Sequence, residues 1–184
     1  MGTMNGILRA QPSLTGTTPV FDVAAAPGDP LALFRVWFEE ACAAGVPEPH
    51  AMTLATVDAD GVPDARTLIL KDADERGWAF ASVRSSVKGT QLATNPAAAL
   101  NLWWQPQVRA VRVRGAVAEA TAEECAADLA ARSPAARDGI DPADWVLWRL
   151  VPERIEFWQG AEDRRHQRLV YTRDGTGWTR SSTR

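Results

Sequence analysis

The sequence has few of the residues that form disulfide bonds or bind zinc, with two cysteines and two histidines in 184 residues. Cys42 and Cys125 both fall in predicted helices, and neither has a second cysteine nearby in the chain. A structural zinc site needs about four such ligands, so we expect neither a metal site nor a disulfide framework. This usage is typical of the reducing cytoplasm, where we expect the protein to work.

The sequence also lacks several signals of location and function. No apolar run approaches the roughly 20 residues of a membrane-spanning helix, and the first residues lack the pattern of a signal peptide. The net charge of -3 argues against a general nucleic-acid-binding protein, which needs a basic surface. No GxGxxG, P-loop or GxSxG motif is present, so standard nucleotide cradles and the hydrolase elbow are not expected.

The chain does have enough apolar material for one domain, with 46% hydrophobic residues and eight tryptophans. Residues 1–28 are rich in Gly, Thr, Pro and Ala without a sustained period. We interpret them as a flexible N-terminal arm that becomes ordered only against a partner chain. Residues 29–184 are predicted to form the single domain.

Changes of hydrophobic period predict a mainly β protein with flanking helices. Helices are predicted from Asp29-Pro30 to about Gly45, over Ser86–Asn95 and from Thr121 to about Arg132, followed by a loop over Ser133–Asp144. Strands are predicted at Met52–Val57, Arg66–Leu70, Trp78–Val83, Ala98–Trp104, Arg109–Glu119, Trp148–Val151, Arg154–Trp158, Leu169–Thr172 and Trp178–Arg180. Short turns join most of them, so we expect an antiparallel sheet of at least six strands, closed or half-closed into a barrel.

The stretch Ile155–Arg168 is the main candidate for a binding site. It runs from a predicted strand ending in Trp158 into a polar turn that contains Arg164, His166 and Arg168. Several cations beside an aromatic side chain make an anion-binding surface with an aromatic wall. A solvated turn after a strand explains the same pattern.

A second cationic stretch, Arg66–Lys71, places a positive charge at each end of a largely apolar strand. Such a strand can bracket a ligand with two polar ends, although edge strands also carry cations to prevent aggregation. Ser82 ends the next strand and Lys88 opens a helix, where backbone amides favour a phosphate. Arg112 and Arg114 make one face of a later strand basic, as a ligand surface or as a solvent face.

In these segments the chain resembles the pyridoxamine 5′-phosphate oxidase family of flavin-binding split barrels. The matching segments are Asp29-Pro30-Leu31, Ala51–Asp58, Arg66–Lys71, Gly77–Lys88, Asn95-Pro96, Val111–Gly115 and Arg154–Arg168, of which IEFWQG with the following Arg, His and Arg is the most specific. The resemblance implies an antiparallel six-stranded split β-barrel. It also implies a homodimer that holds FMN between its subunits.

The resemblance assigns a role to each candidate residue. It implies FMN contacts by Arg66, Thr67, Leu68, Ile69, Leu70, Lys71, Ser82 and Lys88, with Trp158 and Arg168 from the second subunit. It implies substrate contacts by Lys71, Arg132, Arg164 and His166, among which Lys71, Arg164 and His166 are the candidate catalytic residues. In the predicted reaction, a hydride would pass from the substrate to the flavin and then to dioxygen.

The chain also departs from the family pattern. Val87 and Ala110 stand where the family has an Arg and a Gln near the flavin, and Asp128 and Ala136 replace a Tyr and a Ser that hold the substrate's phosphate. The segment after that helix is shortened to Ser133–Asp144. We therefore predict an FMN-dependent oxidoreductase acting on a different small aromatic or heterocyclic metabolite. The alternatives are an authentic pyridoxine/pyridoxamine 5′-phosphate oxidase, a non-catalytic flavin or tetrapyrrole binder, and a protein that uses a deazaflavin.

Overall fold

The computed structural model describes residues 3–183, which contain five α-helices and nine β-strands. The helices are α1 (Met4–Arg9), α2 (Pro30–Ala43), α3 (Val87–Thr94), α4 (Ala122–Ala131) and α5 (Pro134–Arg137). The strands are β1 (Ala51–Val57), β2 (Pro63–Ile69), β3 (Asp72–Asp74), β4 (Gly77–Val83), β5 (Ala97–Trp104), β6 (Arg109–Glu119), β7 (Trp145–Gln159), β8 (Gln167–Asp174) and β9 (Gly177–Thr183). Within this part of the chain, no helix has the length and hydropathy needed to cross a membrane.

All the strands belong to one antiparallel sheet in the order β2-β1-β5-β6-β7-β4-β3, with β8 added beside β7 and β9 beside β8. Strands β2 and β3 lie at opposite ends of this order, yet only Leu70 and Lys71 separate them in the chain. The sheet must therefore curl until its two ends meet. The mainly β, antiparallel prediction is confirmed, but the described residues form nine strands, so a count of six is not confirmed.

The long strand β7 links the two halves of the sheet. Its residues 145–150 pair with β4, whereas residues 154–159 pair with β8. The prediction of two separate strands here, Trp148–Val151 and Arg154–Trp158, is wrong. Glu153 is the extra residue of a β-bulge, since Arg114 pairs with Arg154 and Gly115 pairs with Pro152. The bulge lets the chain continue through the proline without ending the strand.

The bulge depends on close backbone contact at Gly115. A Cβ atom built on Gly115 would lie 1.9 Å from the carbonyl oxygen of Val151. We expect Gly115→Ala to lower the free energy of unfolding by about 1–3 kcal/mol, because the two strands must separate to admit the methyl group. Chemical denaturation measures this. Gly28→Ala is the control, since a Cβ at Gly28 meets nothing within 4 Å; equal stabilities of the two variants would contradict the prediction.

Helix α2 covers the core of the curled sheet. Asp29 accepts a hydrogen bond from the Leu31 amide at 3.0 Å and Pro30 occupies the first turn, as the sequence predicts. The ring of Phe34 lies 4.3 Å from that of Trp78, and the ring of Trp37 lies 5.1 Å from that of Phe157. Helix α2 therefore packs against both β4 and β7, the strands that border the site residues.

Part of the N-terminal arm lies on this domain. Helix α1 is exposed, but Phe21 is buried edge-on against Trp37, with ring centroids 4.8 Å apart. The Thr17 amide donates to the carbonyl of Pro106 at 2.8 Å, and the Tyr171 hydroxyl donates to the carbonyl of Pro27 at 2.7 Å. These contacts attach the second half of the arm to the sheet, whereas its flexibility stays a prediction.

Candidate functional site

Arg66 stands on β2 with its guanidinium group held in place by three neighbours. It donates to Thr56 Oγ1 at 2.5 Å, to Gln91 Oε1 at 3.0 Å and to Asp64 Oδ2 at 2.7 Å. The alternation of β2 points Arg66 towards α3, and Gln91 extends from that helix to meet it. The side chain is 20% exposed, so part of it remains accessible to a ligand.

Lys88 lies in the first turn of α3, next to Arg66. Ser86 caps this helix, and its hydroxyl lies 3.3 Å from Lys88 Nζ and 3.2 Å from the hydroxyl of Ser82. Burial lowers the pKa of Lys88, and the nearby positive charge of Arg66 lowers it further. Lys88 forms no ion pair within residues 3–183.

Arg66, Ser82, Ser86, Lys88 and the N-terminus of α3 thus converge, and we call this group the phosphate cradle. The positive charges of Arg66 and Lys88 disfavour each other, and Lys88 is desolvated and has no acidic partner in the described chain. An anion bound between them would relieve this repulsion. The helix N-terminus and the hydroxyl groups add donors of the kind that a phosphate accepts. The donor set therefore fits the phosphate of FMN, whereas the role of each residue stays a prediction.

Strand β2 leads from the phosphate cradle to Lys71. At about 3.3 Å per residue, the Cα atoms of Arg66 and Lys71 lie up to roughly 16 Å apart. The side chains of Thr67 and Ile69 are exposed, and among the described strands β2 pairs only with β1. Its other edge presents free backbone amides and carbonyls along the same line. A flat molecule with one phosphorylated end can lie along this edge.

At the far end of β2, the structure brings together both predicted substrate-binding cations of this region. Lys71 Nζ lies 3.7 Å from Asp128 Oδ1, and the indole nitrogen of Trp145 donates to Asp128 Oδ2 at 3.0 Å. The guanidinium group of Arg132 stacks 4.6 Å from the centre of the Trp145 ring. We call these four residues the Asp128 cluster. Trp145 was missed from the sequence because an isolated Trp after a loop carries no signal of its contacts.

The third group of predicted residues surrounds Trp158 at the end of β7. The Trp158 ring lies 4.9 Å from that of His166 and 6.0 Å from that of Trp103. His166 Nδ1 accepts a hydrogen bond from the Ala161 amide at 3.0 Å. Arg164 is exposed and has a left-handed backbone conformation. An aromatic wall with an exposed cation beside it is therefore present. The half-exposed Trp103 belongs to this wall and is a further addition to the predicted set.

Arg168 is held by an acidic residue that the sequence analysis did not single out. Glu156 is 2% exposed and forms ion pairs with Arg112, with Arg154 at 2.7 Å and with Arg168 at 3.1 Å. Burial alone raises the pKa of Glu156, but hydrogen bonds from Arg112 and Arg154 outweigh it, so the pKa lies below its ordinary value. The basic face predicted at Arg112 is in part neutralised by this carboxylate.

The predicted residues thus form three groups, around Lys88, Asp128 and Trp158. The cradle and the Asp128 cluster share β2 and its continuation, whereas no contact recorded over residues 3–183 joins either group to Trp158 or Arg168. Their convergence on one ligand across a subunit boundary is the arrangement that the family resemblance implies. That arrangement stays a prediction.

Comparisons with known proteins agree with this architecture. A family model described as pyridoxamine 5′-phosphate oxidase matches residues 38–159, and a second, the pyridoxine 5′-phosphate oxidase C-terminal dimerisation region, matches residues 145–182. Curated proteins named pyridoxine/pyridoxamine 5′-phosphate oxidase from Burkholderia orbicola (strain MC0-3) and Bordetella petrii are 42% and 41% identical to this chain. The alignments span 192 and 191 residues, covering 86% and 88% of this chain and 90% of each relative. Because both spans exceed the length of this chain, the relatives contain residues that it lacks.

Solved structures show the same fold. The structure of PhzG from Burkholderia lata 383 in complex with tetrahydrophenazine-1-carboxylic acid matches with a TM-score of 0.84 and 26% sequence identity. The match covers 92% of this chain and 100% of the PhzG chain. A pyridoxamine 5′-phosphate oxidase-related, FMN-binding protein from Nostoc punctiforme has a TM-score of 0.70 at 19% identity, covers 89% of this chain and 100% of its own, and bears on the fold alone. The matched dimerisation region supports a homodimer. This chain belongs to the pyridoxamine 5′-phosphate oxidase family.

Proposed function

We propose that this protein is an FMN-dependent oxidoreductase that oxidises a small aromatic or heterocyclic metabolite. The observation that carries the proposal is the phosphate cradle at one end of the open edge of β2, with Lys88 desolvated beside Arg66. The family supports the same assignment, since the relatives compared above are named as oxidases.

Each group of residues takes a separate part in this proposal. Arg66, Ser82 and Lys88 hold the phosphate, and the open edge of Thr67–Leu70 lies along the ring system. Trp158 and Arg168 of the second copy of the chain close the site from the other side. Bound FMN would supply the redox chemistry, taking two electrons and a proton from the substrate, with dioxygen reduced to hydrogen peroxide as the final acceptor.

The substrate is positioned by the remaining cations. Lys71 lies at the junction of β2 with the Asp128 cluster, so it faces both the ring system and the substrate. Arg164 and His166 come from the aromatic wall around Trp158, and the exposed guanidinium group of Arg164 is free to meet an anionic substrate group. These residues bind and orient the substrate, and Lys71 polarises the flavin or an anionic group of the substrate.

The absorption spectrum of the purified protein tests the cofactor directly. We expect a yellow protein with the bands of an oxidised flavin, and mass spectrometry of the material released on denaturation should identify FMN. Release of a deazaflavin or a tetrapyrrole would contradict the assignment. Bound FMN that no donor reduces would identify a non-catalytic flavin-binding protein instead.

A second candidate is an authentic pyridoxine/pyridoxamine 5′-phosphate oxidase, favoured by the relatives of that name at 42% identity. Turnover of pyridoxamine 5′-phosphate with release of hydrogen peroxide would establish it. The Asp128 carboxylate argues against it, because it lies among the cations that would meet the substrate's phosphate.

A further inference from the structure

The Asp128 cluster has a charge balance that selects among anions. Asp128 lies near the end of α4 with its side chain 13% exposed, between Lys71 and the Trp145 indole. Arg132 uses its Nε to donate to the Ala136 carbonyl at 3.1 Å, and its two terminal nitrogens have no partner over residues 3–183. The cations Lys71 and Arg132 and the carboxylate Asp128 give the cluster a net charge of +1, and hydrogen-bond donors remain unused.

The net positive charge of the Asp128 cluster matches a ligand group that carries one negative charge. A carboxylate is a monoanion and neutralises the cluster when it meets Lys71 and Arg132. A phosphate ester carries close to two negative charges at neutral pH. It leaves an excess negative charge beside the Asp128 carboxylate, in a partly buried place where repulsion is weakly screened.

We propose that Asp128 is a specificity-determining residue that makes the Asp128 cluster accept a ring compound bearing a carboxylate and reject a phosphate ester. The inference rests on the proposed function, which places the substrate at this end of β2. The cluster is separated from the phosphate cradle by about 16 Å of extended chain, so FMN and a second anion bind at once.

A matched pair of ligands, benzoate and phenyl phosphate, tests this by isothermal titration calorimetry on FMN-saturated protein near pH 7. We expect the wild type to bind benzoate more tightly than phenyl phosphate. Asp128→Asn keeps an acceptor for the Trp145 indole but removes the charge. It should therefore shift the ratio of the two dissociation constants by about tenfold towards phenyl phosphate, equivalent to about 1.4 kcal/mol.

Glu123→Gln is the matched control, because Glu123 is exposed on the same helix and its replacement changes the net charge equally. It should leave the ratio unchanged. A wild type that prefers phenyl phosphate, a ratio that Asp128→Asn does not move, or no binding of either ligand would overturn the inference.

The FMN content of the same samples separates this inference from the proposed function. A protein that binds no FMN contradicts the proposed function alone. In that case the titrations are repeated in the Arg66→Met, Lys88→Met variant, which lacks the two cations of the phosphate cradle. They are done both with Asp128 present and with Asp128→Asn added. The ratio measured there still decides the role of Asp128.

Discussion

Replacing Arg66 and Lys88 together by methionine is expected to weaken FMN binding by about 10²–10⁴-fold. Each residue is proposed to donate a charge-assisted hydrogen bond to the phosphate, and such bonds contribute about 1.5–3 kcal/mol each. Methionine keeps most of the apolar stem of each side chain and removes a cation that burial already disfavours at Lys88. The fold should therefore survive. Flavin fluorescence, which changes on binding, gives the dissociation constant.

Arg84→Met is the matched control for the double variant. Arg84 lies in the connection between β4 and α3, four residues before Lys88, but it is half-exposed and pairs with Glu119. It should leave the FMN affinity within about twofold of wild type, as expected for a surface charge outside the site. An unchanged FMN affinity in the double variant, with a native circular dichroism spectrum, would refute the phosphate cradle.

The parts of the proposed phosphate cradle have local signals in the sequence, whereas the pairing of Arg66 with Lys88 was implied only by the family resemblance. The alternation of Arg66–Lys71 shows which side chains share a face, and Ser86 followed by Lys88 marks the start of a helix that favours an anion. The structure adds Gln91, which contacts Arg66 from a helix 25 residues further along the chain. Contacts of this kind depend on the tertiary fold and leave no periodic signal in the sequence.

The long strand β7 could not be predicted for a different reason. Pro152 lacks an amide donor, and this normally ends a strand. Here the bulge at Glu153 and the missing side chain at Gly115 on the neighbouring strand let pairing continue through it. Glu153 lies in β7 and Gly115 in β6, so the continuity of the strand depends on how the two strands pair. The Asp128 cluster was recognised only in part, since Trp145 contacts Asp128 from the other end of the shortened loop.

Glu156→Gln is expected to lower the free energy of unfolding by about 2–3 kcal/mol at neutral pH. Its carboxylate is buried and meets three arginines, so the amide leaves them to repel one another. Removal of one partner of a fully buried pair costs about 3–5 kcal/mol. The value is smaller here because the arginines are partly exposed and regain water. Urea denaturation at a fixed protein concentration measures the difference.

The pH dependence of that difference distinguishes lost charge from lost packing. The folded state lowers the pKa of Glu156, so the carboxylate contributes its full stabilisation above about pH 4.3, the ordinary value for glutamate, and loses it as the pH falls through the lower, folded value. The gap between wild type and Glu156→Gln should therefore be equal at about pH 7 and pH 5.5 and should narrow only below about pH 4. Glu153→Gln, an exposed change on the same strand, should show no such gap. A gap that persists unchanged in acid would mean that Glu156 stabilises the sheet by its shape and not by its charge.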